Sequence, residues 1–114
     1  MKCIFLTMIF FASAFASAKS FQELEGRYNV KILLFNAEID LSASGHATLI
    51  RGSLTCEGEA EIKGSAIAAP FDCNDGRSTH IEIDLKNVNE YSKFKAPVKF
   101  AKVGTFKGSF TKLQ

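Results

Sequence analysis

Residues Leu54–Leu85 read LTCEGEAEIKGSAIAAPFDCNDGRSTHIEIDL, and this stretch decides the fold. Leu54, Cys56, Gly58, Ala60 and Ile62 alternate with Thr55, Glu57, Glu59 and Glu61. Ile67, Ala69, Phe71 and Cys73 follow, then Ile81, Ile83 and Leu85 set against His80, Glu82 and Asp84. A period of two puts one set of side chains on a core face and the other in water, the pattern of half-buried antiparallel strands. Gly64-Ser65 lies midway between Ile62 and Ile67 and suits a two-residue hairpin loop. Folding about that midpoint opposes Ile62 to Ile67, Ala60 to Ala69, Gly58 to Phe71 and Cys56 to Cys73. Every opposed pair comes from the apolar set. The two cysteines land face to face, at the ~4.5–5.5 Å Cα separation of opposed residues, within disulfide range. Pro70 sits in the same strand with no N–H to give to a ladder, so a bulge or break is expected there. Asn74-Asp75-Gly76 makes the next loop, opposing Phe71 to Thr79, Ala69 to Ile81 and Ile67 to Ile83.

The same period runs outward in both directions. Tyr28, Val30, Ile32 and Leu34 alternate with Arg27, Asn29, Lys31 and Leu33, and Ile39, Leu41 and Ala43 with Glu38, Asp40, Ser42 and Ser44. Phe94, Ala96, Val98 and Phe100 alternate with Lys93, Lys95, Pro97 and Lys99. Lys102-Val103-Gly104 is expected to fold the last two strands together, opposing Phe100 to Phe106, Val98 to Gly108 and Ala96 to Phe110, with Lys99 facing Lys107 outside. Ser44-Gly45-His46 and Arg51-Gly52-Ser53 supply the remaining turns. Helical signals are few: Ser20 with Glu23 can cap one turn, and Val88–Lys93 can form another. The expected fold is all-β, a small antiparallel meander of seven or eight short strands forming a closed barrel or a two-layer sandwich.

The chain begins with Lys2, an apolar run from Ile4 to Phe11, and Ala16-Ser17-Ala18. That order reads as a secretory signal peptide cut after Ala18, leaving 19–114 as a single domain in a secreted or periplasmic setting. The apolar run is shorter than the ~20 residues that span a bilayer, so no transmembrane segment is expected. Without the leader, 39 of 96 residues are apolar, enough for a globular core and too short a chain for a multidomain enzyme or a Rossmann-type fold. Cys3 precedes the apolar run, which argues against a lipid anchor at the cleavage site. Cys56 and Cys73 are then an even pair in an exported chain, and the expected disulfide between them is worth ~3 kcal/mol on the chain-entropy estimate.

Charge is divided along the sequence. Residues 19–85 hold 6 basic and 11 acidic side chains, whereas residues 86–114 hold 7 lysines and Glu90 alone. The concentration fits either lysines that solubilise the last strands and guard a sheet edge or a polar face that attracts anions, and on the second reading Lys95, Lys99 and Lys107 are the candidate binding residues. The partner classes this fits are another exported protein or an anionic envelope polymer or headgroup; nothing points to nucleic acid.

Signals for catalysis are sparse. His46 falls at a turn and His80 on a wet strand face, no G-x-S-x-G elbow occurs, and the thiols are committed to the bridge. Asp72, Asn74 and Gly76 depart from a calcium loop, because the glycine comes one place early and Ile83 stands where the bidentate glutamate belongs. Glu57, Glu59 and Glu61 form an acidic row that reads as a solvated outer face. The expectation is therefore a non-enzymatic binding domain with no catalytic residues, metal or cofactor. An alternative is a barrel carrying an apolar ligand, since the inner face mixes Phe71, Phe94, Phe100, Phe106 and Phe110 with small residues. A small hydrolytic enzyme comes third, with His46, His80, Asp72 and Asp75 as its polar groups. Gly26-Arg27-Tyr28 resembles the glycine-x-tryptophan that opens the first strand of lipocalins. Tyrosine stands for the tryptophan, the chain has no Trp, and 96 residues is short for that family, so no property is carried over.

Overall fold

In the computed structural model, which describes residues 20–113, the alternating stretches form nine antiparallel strands. They are β1 (Gly26–Ile32), β2 (Phe35–Leu41), β3 (His46–Arg51), β4 (Leu54–Glu59), β5 (Glu61–Lys63), β6 (Ala66–Cys73), β7 (Ser78–Asp84), β8 (Lys93–Phe100) and β9 (Gly104–Leu113). The signal segment, its cut after Ala18 and Cys3 lie outside the described residues. Each strand pairs with its chain neighbour, except β4 with β5, and β1 also pairs with β9. Only Ala60 separates β4 from β5, and both pair with β6, so the two act as one interrupted wall strand. The result is a closed eight-stranded antiparallel barrel, not a sandwich.

The two hairpins read from Leu54–Leu85 form in the expected register. Cys56 faces Cys73 and Ile62 faces Ile67; Ile67, Ala69 and Phe71 face Ile83, Ile81 and Thr79. The disulfide is formed, with a Cα separation of 3.8 Å, closer than an average opposed pair. The ladder fails between Glu57↔Asp72 and Glu61↔Ala68, around Pro70, as its missing N–H requires. The register is the same on either side, so this is a break and not a bulge. The Ala60 amide turns away and donates to the Gly45 carbonyl at 2.8 Å.

The core is the inward set: Tyr28, Val30, Ile32, Leu41, Ala47, Cys56, Phe71, Ile81, Ala96, Val98 and Phe110 are all buried. Helix α1 (Phe21–Leu24) forms under a full capping box, with the Glu23 amide donating to Ser20 Oγ and the Ser20 amide to Glu23 Oε1. Its Leu24 is buried, and the Tyr28 hydroxyl donates to the Leu24 carbonyl at 2.6 Å. Burial pushes the Tyr28 pKa up to about 12, with the Tyr91 phenol adding to it, so that hydroxyl remains a donor at neutral pH. Together with buried Leu85 and Val88, α1 closes one end of the barrel.

Three expectations are corrected. Val88–Lys93 is not helical: Val88 is drawn into the core and Lys93 already opens β8. The first strand stops at Ile32, which faces Phe35 across a two-residue turn, so Leu34 is not a core residue. In the last hairpin the loop is Ala101-Lys102-Val103, and Phe100 faces Gly104. The pairing therefore slips by two residues, which sets Phe94 opposite Phe110 as a stacked pair with centroids 4.7 Å apart. Lys99 then faces Thr105, and Lys107 faces Pro97, rather than the two lysines facing each other.

Candidate functional site: the lysine wall and the turn end

Strand parity sends Lys93, Lys95 and Lys99 of β8 and Lys107 of β9 outward, and all four are exposed. With Lys107 opposite Pro97, it sits diagonally between Lys95 and Lys99, so Lys95, Lys99 and Lys107 share one patch. Barrel closure adds a residue that sequence reading missed. Lys31 of β1 faces Ser109 of β9, at the edge of the same wall. The ion pairs among the described residues are Arg27–Glu38, His46–Glu57, His46–Glu59 and Arg77–Asp75, so no lysine of this wall is neutralised by a paired carboxylate. Glu82 lies across from Lys99 on β7 and marks the border of the patch.

The acidic row lies on the far side. In the ring of strands, β4 with β5 stands four places from β9, diametrically opposite in an eight-stranded barrel. Glu57 and Glu59 hold the His46 ring between them, Nδ1 at 2.7 Å from Glu59 and Nε2 at 3.0 Å from Glu57. Carboxylate oxygens only accept, so this clasp is complete only when both ring nitrogens carry protons. The hydrogen bond to Glu59, then that to Glu57, raises the His46 pKa above its ordinary 6.5. A raised folded pKa means that the clasp stabilises fully below the unfolded value and fades as pH rises through the folded one. All three groups are exposed, so the contribution is small. In an NMR titration His46 is expected to titrate above 6.5, and to return to the ordinary value when Glu57→Gln and Glu59→Gln are combined. A native His46 titrating at or below 6.5 would show that the clasp does not form.

The other polar candidates are dispersed. Asp75 accepts from the Arg77 amide and from Arg77 Nε at 3.0 and 2.7 Å, contacts that hold its carboxyl below the usual range. Asp72 accepts from Ser78 Oγ at 2.8 Å, and His80 lies opposite Pro70 on the outer wall. His46, His80, Asp72 and Asp75 therefore do not converge. Among the described residues no group of three or more His, Cys, Asp or Glu is arranged to hold a metal ion, and no helix is long and apolar enough to cross a membrane.

The barrel end opposite α1 carries four turns: Leu33-Leu34, Gly52-Ser53, Asn74–Arg77 and Ala101–Val103. Leu33 is 72% exposed, Leu34 99% and Val103 70%, the exposed large apolar side chains among the described residues. Sequence reading placed Leu34 in the core by alternation. The signal that would have freed it is the mirror order about Leu33-Leu34, which opposes Ile32 to Phe35, Val30 to Ala37 and Tyr28 to Ile39.

The interior is nearly filled. An apolar cavity of about 70 Å³ lies among Leu24, Tyr28, Leu41, Phe71, Phe94 and Phe110, and one of about 30 Å³ lies among Ile32, Phe35, Leu49, Val98 and Phe100. Even the larger is under half the ~150 Å³ of a dry apolar cavity that admits benzene. Comparison with known protein families, characterised proteins and solved structures finds no match to this chain.

Proposed function

We propose that this chain is an exported, non-enzymatic binding domain that engages an anionic surface through the β8–β9 wall. The observation that carries the reading is the exposed patch of Lys95, Lys99 and Lys107, unneutralised by ion pairs and opposite the acidic strand. A charge distribution divided across the barrel orients the domain before contact, because opposite potentials steer an anionic partner to one side. The disulfide fits an oxidising compartment.

Changing all three lysines to glutamate is expected to abolish binding to anionic phosphatidylglycerol vesicles or to a captured exported protein. Wild-type affinity should fall with rising salt, since exposed charges are screened over ~8 Å at physiological ionic strength. Stability should move little, as such surface changes cost within about 0.5 kcal/mol each. Reversing Glu57, Glu59 and Glu61 is the control; loss of binding there, with the lysine variant unaffected, assigns the opposite wall.

A second reading, carriage of a small apolar molecule, is favoured by the uniformly apolar cavity lining and opposed by its volume. A native mass spectrum of protein from its own host checks it: apolar cargo retained above the mass of the chain supports carriage, and bare protein removes it.

A further inference from the structure

We propose that the four-turn end of the barrel is a bilayer-insertion tip: Leu33, Leu34 and Val103 enter the headgroup region of an anionic membrane while Lys31, Lys99, Lys102 and Lys107 hold its phosphates. This rests on the lysine-wall reading and names the partner of that wall as a lipid surface.

Four observations converge on this end. First, Leu33, Leu34 and Val103 occupy only two turns, those of the β1–β2 and β8–β9 hairpins, which border each other because β1 pairs with β9. Second, backbone strain collects in the same two turns. Leu33 has φ 55° and Lys102 φ 68°, the non-glycine residues of positive φ among the described residues. A tight hairpin accepts glycine at such a position without penalty, whereas a leucine there is held against its own Cβ. Strain of this kind persists where something other than stability selects the residue.

Third, charge is divided along the barrel axis as well as across it. Within two residues of the turns this end carries Lys31, Arg51, Arg77, Lys99 and Lys102 against Asp72 and Asp75, and Lys107 lies four residues from its turn, as Glu38 and Glu57 do from theirs. Arg77 is spent on Asp75, and Arg51 lies over the Phe35 ring at 4.1 Å, so the four lysines remain for a partner. Around the α1 end, by contrast, carboxylates outnumber cations. Fourth, the apolar side chains stand out in solvent. A two-residue turn thrusts Leu34 into solvent, and isolated aliphatic side chains ringed by flexible cations need no matching pocket in a fluid interface. Lysine stems lie along apolar surface while their ammonium groups reach phosphate, and apolar contact combined with attraction to anionic lipid is how interfacial segments hold a membrane.

The chain has no tryptophan, so a single one reports its own site. Leu34→Trp protein, recovered from the exported fraction of an expressing host, is mixed with phosphatidylcholine vesicles containing phosphatidylglycerol and with phosphatidylcholine alone. Blue-shifted emission, quenched by acyl-chain-brominated lipid, is expected with the anionic vesicles only and should fade with salt; Glu61→Trp, at the opposite end, should not respond. Leu34→Ser combined with Val103→Ser should weaken partitioning about tenfold or more. Leu33→Gly should raise the melting temperature while lowering partitioning, a pairing that a merely structural leucine would not give. If the wild type sediments with anionic vesicles in a lysine-dependent way but Leu34→Trp emission stays that of water, the tip is not inserted, and the inference falls while the lysine wall stands. If vesicles are not bound and Leu34→Ser instead abolishes lysine-dependent capture of a protein, the tip is a protein contact and the lipid assignment is overturned. If neither vesicles nor protein are bound by the wild type, both readings fall.

Discussion

Gly58→Ala is expected to destabilise the barrel by about 3 kcal/mol, the upper end of what overpacking costs, for the addition of one methyl group. A Cβ built on Gly58 lands on the carbonyl oxygen of Pro70 in the adjacent β6. That oxygen belongs to backbone, and the backbone there has little freedom. On its other side Pro70 is held in the β6–β7 ladder opposite His80, with Ala69↔Ile81 and Phe71↔Thr79 flanking it. Ala69 and Phe71 are themselves buried. The clash can be relieved only by parting β4 from β6, at the point where the ladder between them is already broken. At ~4–8 °C per kcal/mol for a domain of this size, thermal unfolding should show a drop of roughly 12–24 °C. Gly64→Ala is the comparison. Gly64 has φ 62° but open space around it, so only the intrinsic left-handed cost of ~1–2 kcal/mol applies. A Gly58→Ala protein as stable as Gly64→Ala would mean that the strands do not approach so closely.

The same seam shows what sequence could and could not say. Around Gly64-Ser65 the apolar positions have mirror symmetry, the cysteines obey it, and a proline marks the break; three independent constraints leave one register. The C-terminal hairpin had only alternation and the glycine of Lys102-Val103-Gly104 to fix it. Alternation has a period of two, so a slip of two residues keeps every side chain on its face, and the pattern is blind to it. What selects the observed register is the Phe94–Phe110 stack and the placing of Gly104, with φ 138°, at the head of β9 instead of inside the loop. Leu33-Leu34 was invisible for a different reason. Turn signals come from glycine, proline, asparagine and aspartate, and here apolar residues occupy a position that favours glycine. Lys31 joined the wall only because β1 pairs with β9, a contact between opposite ends of the domain that no local pattern encodes. The candidate lysines were thus legible as residues, and their arrangement was not.

Replacing both Cys56 and Cys73 with alanine is expected to cost about 3 kcal/mol or somewhat more. The bridge joins cysteines 17 positions apart, for which the entropy model gives ~3 kcal/mol. Cys56 is also the most completely buried core residue among the described residues, so its truncation adds a small cavity. Location raises the importance of the bond beyond its loop length. Elsewhere the wall is continuous, but β4 meets β6 through only Cys56↔Cys73 and Glu57↔Asp72 before the gap at Pro70. Asn74 lends help at the turn end, its amide donating to the Thr55 carbonyl and its side chain accepting from the Thr55 amide and donating to the Ser53 carbonyl. Without the disulfide this seam should be the first to open, and amide exchange in β4 should speed up before that in β8 and β9. Gly58 lies two residues from Cys56 on the same strand, so the two effects should not add: once the seam has loosened, the methyl of Gly58→Ala has room. The triple variant should therefore lose less than the sum of its parts, a coupling that unfolding in denaturant measures directly. Strict additivity would place the closure of the barrel somewhere other than this seam, and unchanged stability of the cysteine pair variant would mean that the ladder and Asn74 suffice to hold it.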